Sequence, residues 1–135
     1  MKLEIKGILP NFNDYINACR INYNYGSKIK NETEEEIIKQ LSNQINKKFD
    51  DESEIFMEYK WYEPNKRRDK DNISSFGRKC IQDALIKMGV IKNDGWKNIY
   101  GFSDYFDIDK ENPRIEITIF EVKENDTKKN YQFKF

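Results

Sequence analysis

The chain of 135 residues contains no histidine. That absence removes Ser-His-Asp and Cys-His mechanisms, histidine metal ligands and a histidine general base in one step. Cysteine is scarce, with only Cys19 and Cys80, so a zinc site has too few soft ligands. Both cysteines fall inside expected helices, which favours two reduced thiols over a disulfide. Formal net charge is also missing, because Lys+Arg 24 balances Asp+Glu 24. A balanced chain is unlike a generic DNA-coating protein, which is basic, yet it leaves room for a local basic face beside an acidic site. No apolar run approaches the roughly 20 residues of a membrane-spanning helix, and residues 1–10 lack the apolar centre of a signal peptide. The expectation is a cytoplasmic protein.

What is present is charge and aromatic area. Charged residues make up 36% and aromatics 14% of the chain. Large rings bury much area each, so a core is achievable despite the charged surface. The length suits one domain over 1–135, with no repeat and no linker.

The apolar pattern predicts the elements. Lys2-Leu3-Glu4-Ile5-Lys6 alternates as a strand over 2–9, closed by Pro10. Asn11 or Asn13 can cap a helix near 13–23, which Gly26 and Ser27 end. A second helix is expected over 31–48, with Ile37, Ile38, Leu41 and Ile45 on one side and Glu34-Glu35-Glu36 in its first turns. Ser53–Glu63 reads as a long strand with Ile55, Met57, Tyr59 and Trp61 on one face. A third helix over 72–88 gathers Ile73, Phe76, Cys80, Ile81, Ala84, Leu85 and Met88 on one arc. Gly89 then caps it, with Val90 as the hydrophobic contact. Strands follow over 96–107 and 114–122, and residues 123–135 form a charged tail, loose until Tyr131-Gln132-Phe133.

The chemistry concentrates around the third helix. In Arg67-Arg68-Asp69-Lys70-Asp71-Asn72, the two acids are two positions apart in a segment that reads as extended, so both point to one side. Asp94 in Asn93-Asp94-Gly95 returns at the far end of the helix. Three nearby carboxylates repel one another and resist ionising unless a cation joins them. Mg²⁺ or Mn²⁺ chooses such oxygen ligands. Lys66-Arg67-Arg68 beside the acids suits phosphate handling. Asn72, Lys79 and Asp83 recur on one helical stripe, from which a long lysine leans back toward the acids. The pattern outlines a metal-dependent nuclease. Plainer readings exist for each part: Asp71 or Asn72 as a helix cap, Asp69 paired with Arg67 or Lys70, Asp94 as a turn residue, and Lys79–Asp83 as a surface ion pair.

Taken together, Arg68-Asp69-Lys70-Asp71-Asn72, Lys79 to Asp83-Ala84-Leu85, Gly89-Val90 and Asn93-Asp94 resemble the RusA family of Holliday junction resolvases. The resemblance covers about residues 64–122, and the opening around Gly7 to Pro10, Asn13 and Tyr15 is similar to a phage-like branch. It implies a small α/β (α+β) domain, a mixed four-stranded sheet packed with about three helices. It also implies a homodimer and Mg²⁺-dependent cleavage of four-way DNA junctions in recombination and repair. Asp69, Asp71 and Asp94 match the family's catalytic, metal-binding acids. Lys79 matches its catalytic lysine when four residues are inserted after Asn72. Asn93 stands where the family often has another aspartate. The DNA backbone would be gripped by Lys66, Arg67 and Arg68, with Arg20, Lys28 and Lys30 as further contacts. The rival readings are a non-catalytic junction-binding protein and a toxin-like RNase.

Overall fold

A computed structural model of the chain describes residues 1–122; the expected tail over 123–135 lies outside the described residues. The order is β1 (Lys2–Lys6), α1 (Phe12–Ile21), α2 (Tyr23–Leu41), β2 (Ile55–Glu63), α3 (Lys70–Lys87), β3 (Ile99–Ile108) and β4 (Arg114–Glu121). Three helices and one mixed four-stranded sheet share one core, as the resemblance implies.

Strand order is β1-β4-β2-β3. β1 and β2 both run antiparallel to β4, while β2 and β3 are parallel and joined through α3. A parallel pair needs such a crossover. Because strand side chains alternate, Leu3 and Ile5, Met57, Tyr59 and Trp61, and Ile115, Ile117 and Ile119 share the face that is buried. Ile37 and Leu41 of α2 and Ile73, Phe76, Ile81 and Leu85 of α3 complete that core.

Two helical expectations change. Gly26 and Ser27 do not break a helix. The break is at Asn22, whose backbone is extended and whose side chain accepts the Asn24 N–H at 2.9 Å. Gly26 lies inside α2 because α1 packs there: a Cβ on it would meet Cys19 Sγ at 2.2 Å. α2 also stops at Leu41 rather than 48, although Ile45 still packs against the core from the following loop.

The end of α3 follows expectation in detail. Gly89 adopts φ +71°, its N–H reaches Ile86 O at 2.9 Å, and the Val90 N–H reaches Leu85 O at 2.9 Å. This pair of bonds satisfies two orphan carbonyls of the last turn. Val90 is fully buried, which pins the chain as it leaves the helix.

Candidate nuclease site

The loop Pro64–Arg68 carries the chain from the end of β2 into α3, beside the parallel end of β3. In α/β proteins the crevice beyond the carboxyl ends of parallel strands is a common ligand position. Here a cleft of about 420 Å³ opens there, lined by Lys66, Asp69, Lys70, Phe106 and Asp107 among others.

Asp69 is the N-cap of α3, with φ −71° and ψ 143°, and its carboxylate makes no capping bond. Lys70 and Asp71 already belong to the first helical turn. This corrects the extended reading of Asp69-Lys70-Asp71: the helix starts two residues earlier than expected, and side chains two apart in a helical turn do not face each other. Both acids nevertheless remain exposed. As anions at a helix N-terminus they are favoured by the dipole.

Asp94 lies elsewhere along α3. Its Oδ2 is 2.7 Å from Lys79 Nζ, and the same ammonium lies 3.2 Å from Asp83 Oδ1. Lys30 Nζ meets Asp83 Oδ2 at 2.8 Å and Glu34 Oε2 at 2.9 Å. The result is an alternating row of charges from Asp94 to Glu34, spanning α3 and α2. The Glu34 side chain is only 2% exposed, and its other oxygen faces Lys87 Nζ at 2.9 Å without hydrogen-bond geometry. The bond to Asp94, aided by Asp83, holds the Lys79 pKa above the ordinary lysine value. Lys79 therefore stays an ammonium and cannot act as a base. Burial opposes charge on Asp83, yet the bonds from Lys30 and Lys79 outweigh it and lower its pKa.

The basic residues divide into two groups. Lys66 and Arg67 are exposed on the loop before α3. Arg68 instead braces Glu63 at 2.8 Å and donates to Leu9 O at 2.7 Å. Lys30 is committed to Glu34 and Asp83. Lys28 is exposed, with Glu32 at 3.8 Å, and Arg20 is exposed in the last turn of α1. Arg68 and Lys30 are thus structural ties in this fold, because each ammonium or guanidinium is already matched to acids. Cys80 is a buried free thiol that burial pushes up to about 12, so it is not a nucleophile. Cys19 is also free.

Two acids of β3 escaped the sequence reading. Asp107 faces the same cleft as Asp69. Asp104 accepts Trp61 Nε1–H at 2.9 Å and pairs with Arg78. The only available signal was their place in an expected strand, and parallel pairing of that strand to β2 is not legible locally.

A model of the RusA endodeoxyribonucleases matches residues 12–120. The chain belongs to the RusA family. It is accordingly an enzyme that hydrolyses DNA phosphodiester bonds, of the class that resolves Holliday junctions. No curated protein matches it significantly. RusA proteins generally depend on a divalent metal, and the donors here fit a hard cation in kind: carboxylate oxygens, with no imidazole in the chain. Asp94 already attracts a cation in the form of Lys79. The donors do not fit in number, because among the described residues no group of three or more acidic or cysteine side chains meets in a metal-holding cluster. No helix among them is long and apolar enough to cross a membrane.

Proposed function

We propose that this RusA protein is a structure-selective endodeoxyribonuclease that resolves Holliday junctions and other branched DNA in recombination and repair, using Mg²⁺ or Mn²⁺ and acting as a homodimer. The observation that carries the reading is the pair of exposed carboxylates, Asp69 and Asp71, at the start of α3 beside the open cleft and the exposed cations Lys66 and Arg67. Asp69, Asp71 and Asp94 are the metal-binding acids in this reading. Lys66 and Arg67 hold backbone phosphates, a contact that orients DNA without reading sequence. Lys79, a permanent ammonium, neutralises charge that develops on the phosphate in the transition state. A two-fold dimer suits a junction, which is cut at two symmetric positions.

The test is cleavage of a labelled four-way junction by the purified protein, against linear duplex of the same sequence, with Mg²⁺ or with EDTA. Junction cutting that requires the metal is expected. Tight binding with no cutting in Mg²⁺ or Mn²⁺ would return the chain to a junction-binding role. Preferential cutting of RNA would favour the RNase reading.

A further inference from the structure

Two stripes of alternating charge face each other where α2 packs on α3. Lys30 and Glu34 are one turn apart on α2, and Lys79, Asp83 and Lys87 recur at one-turn intervals on α3. Lys30 Nζ crosses from one helix to the other, reaching Asp83 Oδ2 at 2.8 Å over 53 positions of sequence. It also keeps its own-helix bond to Glu34 Oε2 at 2.9 Å. Asp83 turns its second oxygen, Oδ1, toward Lys79 Nζ at 3.2 Å. The row is anchored at Glu34, 2% exposed, and open at Lys79, 55% exposed.

The two ends of the row have different physical needs. Glu34 requires cations beside it, because a buried carboxylate without one is costly. At the outer end, ion pairs this exposed contribute little to stability. What the outer end supplies is orientation. A lysine carries its charge on a flexible four-carbon stem, so an ammonium that is not held samples many positions. Asp94 holds Lys79 at 2.7 Å, but in the nuclease reading Asp94 also serves the metal. Asp83 has no such second duty. The terminal torsion of an aspartate is soft, and the bond from Lys30 to Oδ2 is what leaves Oδ1 aimed at Lys79.

We propose that Lys30 is a positioning residue: through Asp83 it fixes the place of the Lys79 ammonium, and buried Glu34 holds Lys30 in turn. This rests on the nuclease reading above. It gives Lys30 a task in cleavage other than gripping DNA.

The experiment is single-turnover cleavage of the labelled junction by Lys30→Met and Lys30→Arg, each made in the wild-type chain and in Lys79→Ala. Lys30→Met keeps an apolar stem and removes the charge. Its rate should fall roughly tenfold, short of the loss of Lys79 itself. Junction affinity and its salt slope should match the wild type, and Lys30→Arg should recover most of the rate. In the Lys79→Ala background Lys30→Met should change nothing further, because nothing is left to position. An equal fractional fall in both backgrounds would make Lys30 a general support of the fold and overturn the proposal. So would a reduced salt slope, which marks a phosphate contact, or a Lys79→Ala chain that cuts at the wild-type rate. Should Lys30→Met fail to fold, Asp83→Asn takes its place with the same expected pattern, since an amide offers one acceptor oxygen where two lysines need two.

A second readout needs no DNA. Two-dimensional NMR of side-chain ammonium groups is recorded on Asp94→Asn, where Asp83 is the remaining tie, with the Lys79 signal identified by its loss on adding Lys79→Ala. That signal should persist in Asp94→Asn and broaden into the fast-exchanging pool of free lysines when Lys30→Met is added. Its loss in Asp94→Asn alone, or its survival after Lys30→Met, overturns the proposal. A chain that holds Lys79 in this way yet spares junctions would overturn the nuclease reading alone.

Discussion

Arg68 grips Glu63 with two nitrogens, Nε at 2.8 Å and Nη2 at 3.1 Å, while Nη1 donates to the carbonyl of Leu9 at 2.7 Å. The end of β2 is thereby tied to the loop that follows β1. The Glu63 side chain is 7% exposed, so its charge depends on this partner. Arg68→Ala should cost about 3 kcal/mol, the lower end for stranding one member of a buried pair. Urea denaturation measures it, and a cost below about 0.5 kcal/mol, the scale of surface substitutions, would show that the tie is idle.

The neighbouring cations should behave differently. Lys66→Ala with Arg67→Ala should leave the urea midpoint nearly unchanged and weaken junction binding. Each lost phosphate contact lowers the slope of log K against log salt by roughly 0.9. A binding titration over a range of salt checks this, and an unaltered slope would remove both side chains from the DNA contact.

Asp71→Asn should abolish junction cleavage while binding persists. The substitution keeps the shape of an exposed first-turn side chain and removes only the charge a metal needs. Gel-shift and cleavage assays on the same preparation separate the two effects. Cleavage near the wild-type rate would remove Asp71 from the metal set.

Lys79→Ala distinguishes a working lysine from a surface tie. Its side chain is 55% exposed, and exposed ion pairs contribute little to stability, so the melting temperature should hardly move. Single-turnover cleavage should fall by roughly 10²–10³-fold, the scale for losing one transition-state donor. An unchanged rate would leave Lys79 as a partner of Asp94 and Asp83 only.

Acid should weaken the fold through Asp83. Its folded pKa lies below the ordinary value because of Lys30 and Lys79, against the opposing effect of burial. A group of that kind stabilises above its unfolded pKa, about 3.9, and the contribution disappears as pH falls through the lower folded value. Urea midpoints should therefore drop below about pH 4. Asp83→Asn should shrink that drop without removing it, because Arg114 also lowers the pKa of Asp109. An acid limb of equal depth in the variant would count against the Lys30–Asp83–Lys79 bridge.

The parts of this molecule legible in its sequence are those set by local periodicity. The apolar arc of α3, the alternation of β2 and β4, and the glycine stop at Gly89 all depend on neighbours within a few residues. Asn22 is not legible as the break between helices because Gly26 is the stronger local signal; the role of Gly26, space for Cys19 across the α1–α2 contact, is tertiary. The same limit applies to the site. Asp69, Asp71, Lys79 and Asp94 stand out by type and spacing, but where the helix begins decides which way two acids point. The roles of Arg68 and Lys30 could not be read at all, since Glu63, Leu9 and Asp83 reach them only through the fold. Asp107 joined the cleft for the same reason, through the pairing of β3 with β2.

The pairing of β1 with β4, Lys2 opposite Thr118, has a consequence for the order of events on the ribosome. The first strand to emerge is an edge whose only strand partner among the described residues is nearly the last to be made. At 5–20 residues per second, Leu3 and Ile5 wait on the order of 10 s for Ile115 and Ile117. During that interval the α1–α2 hairpin can already associate, whereas the sheet has no complete template. Closure of β1 onto β4 is then a late, long-range step, of the kind that slows folding through its loop-closure cost. The nascent chain is thus most vulnerable to mispairing at β1, whose partner strand is made last of the four.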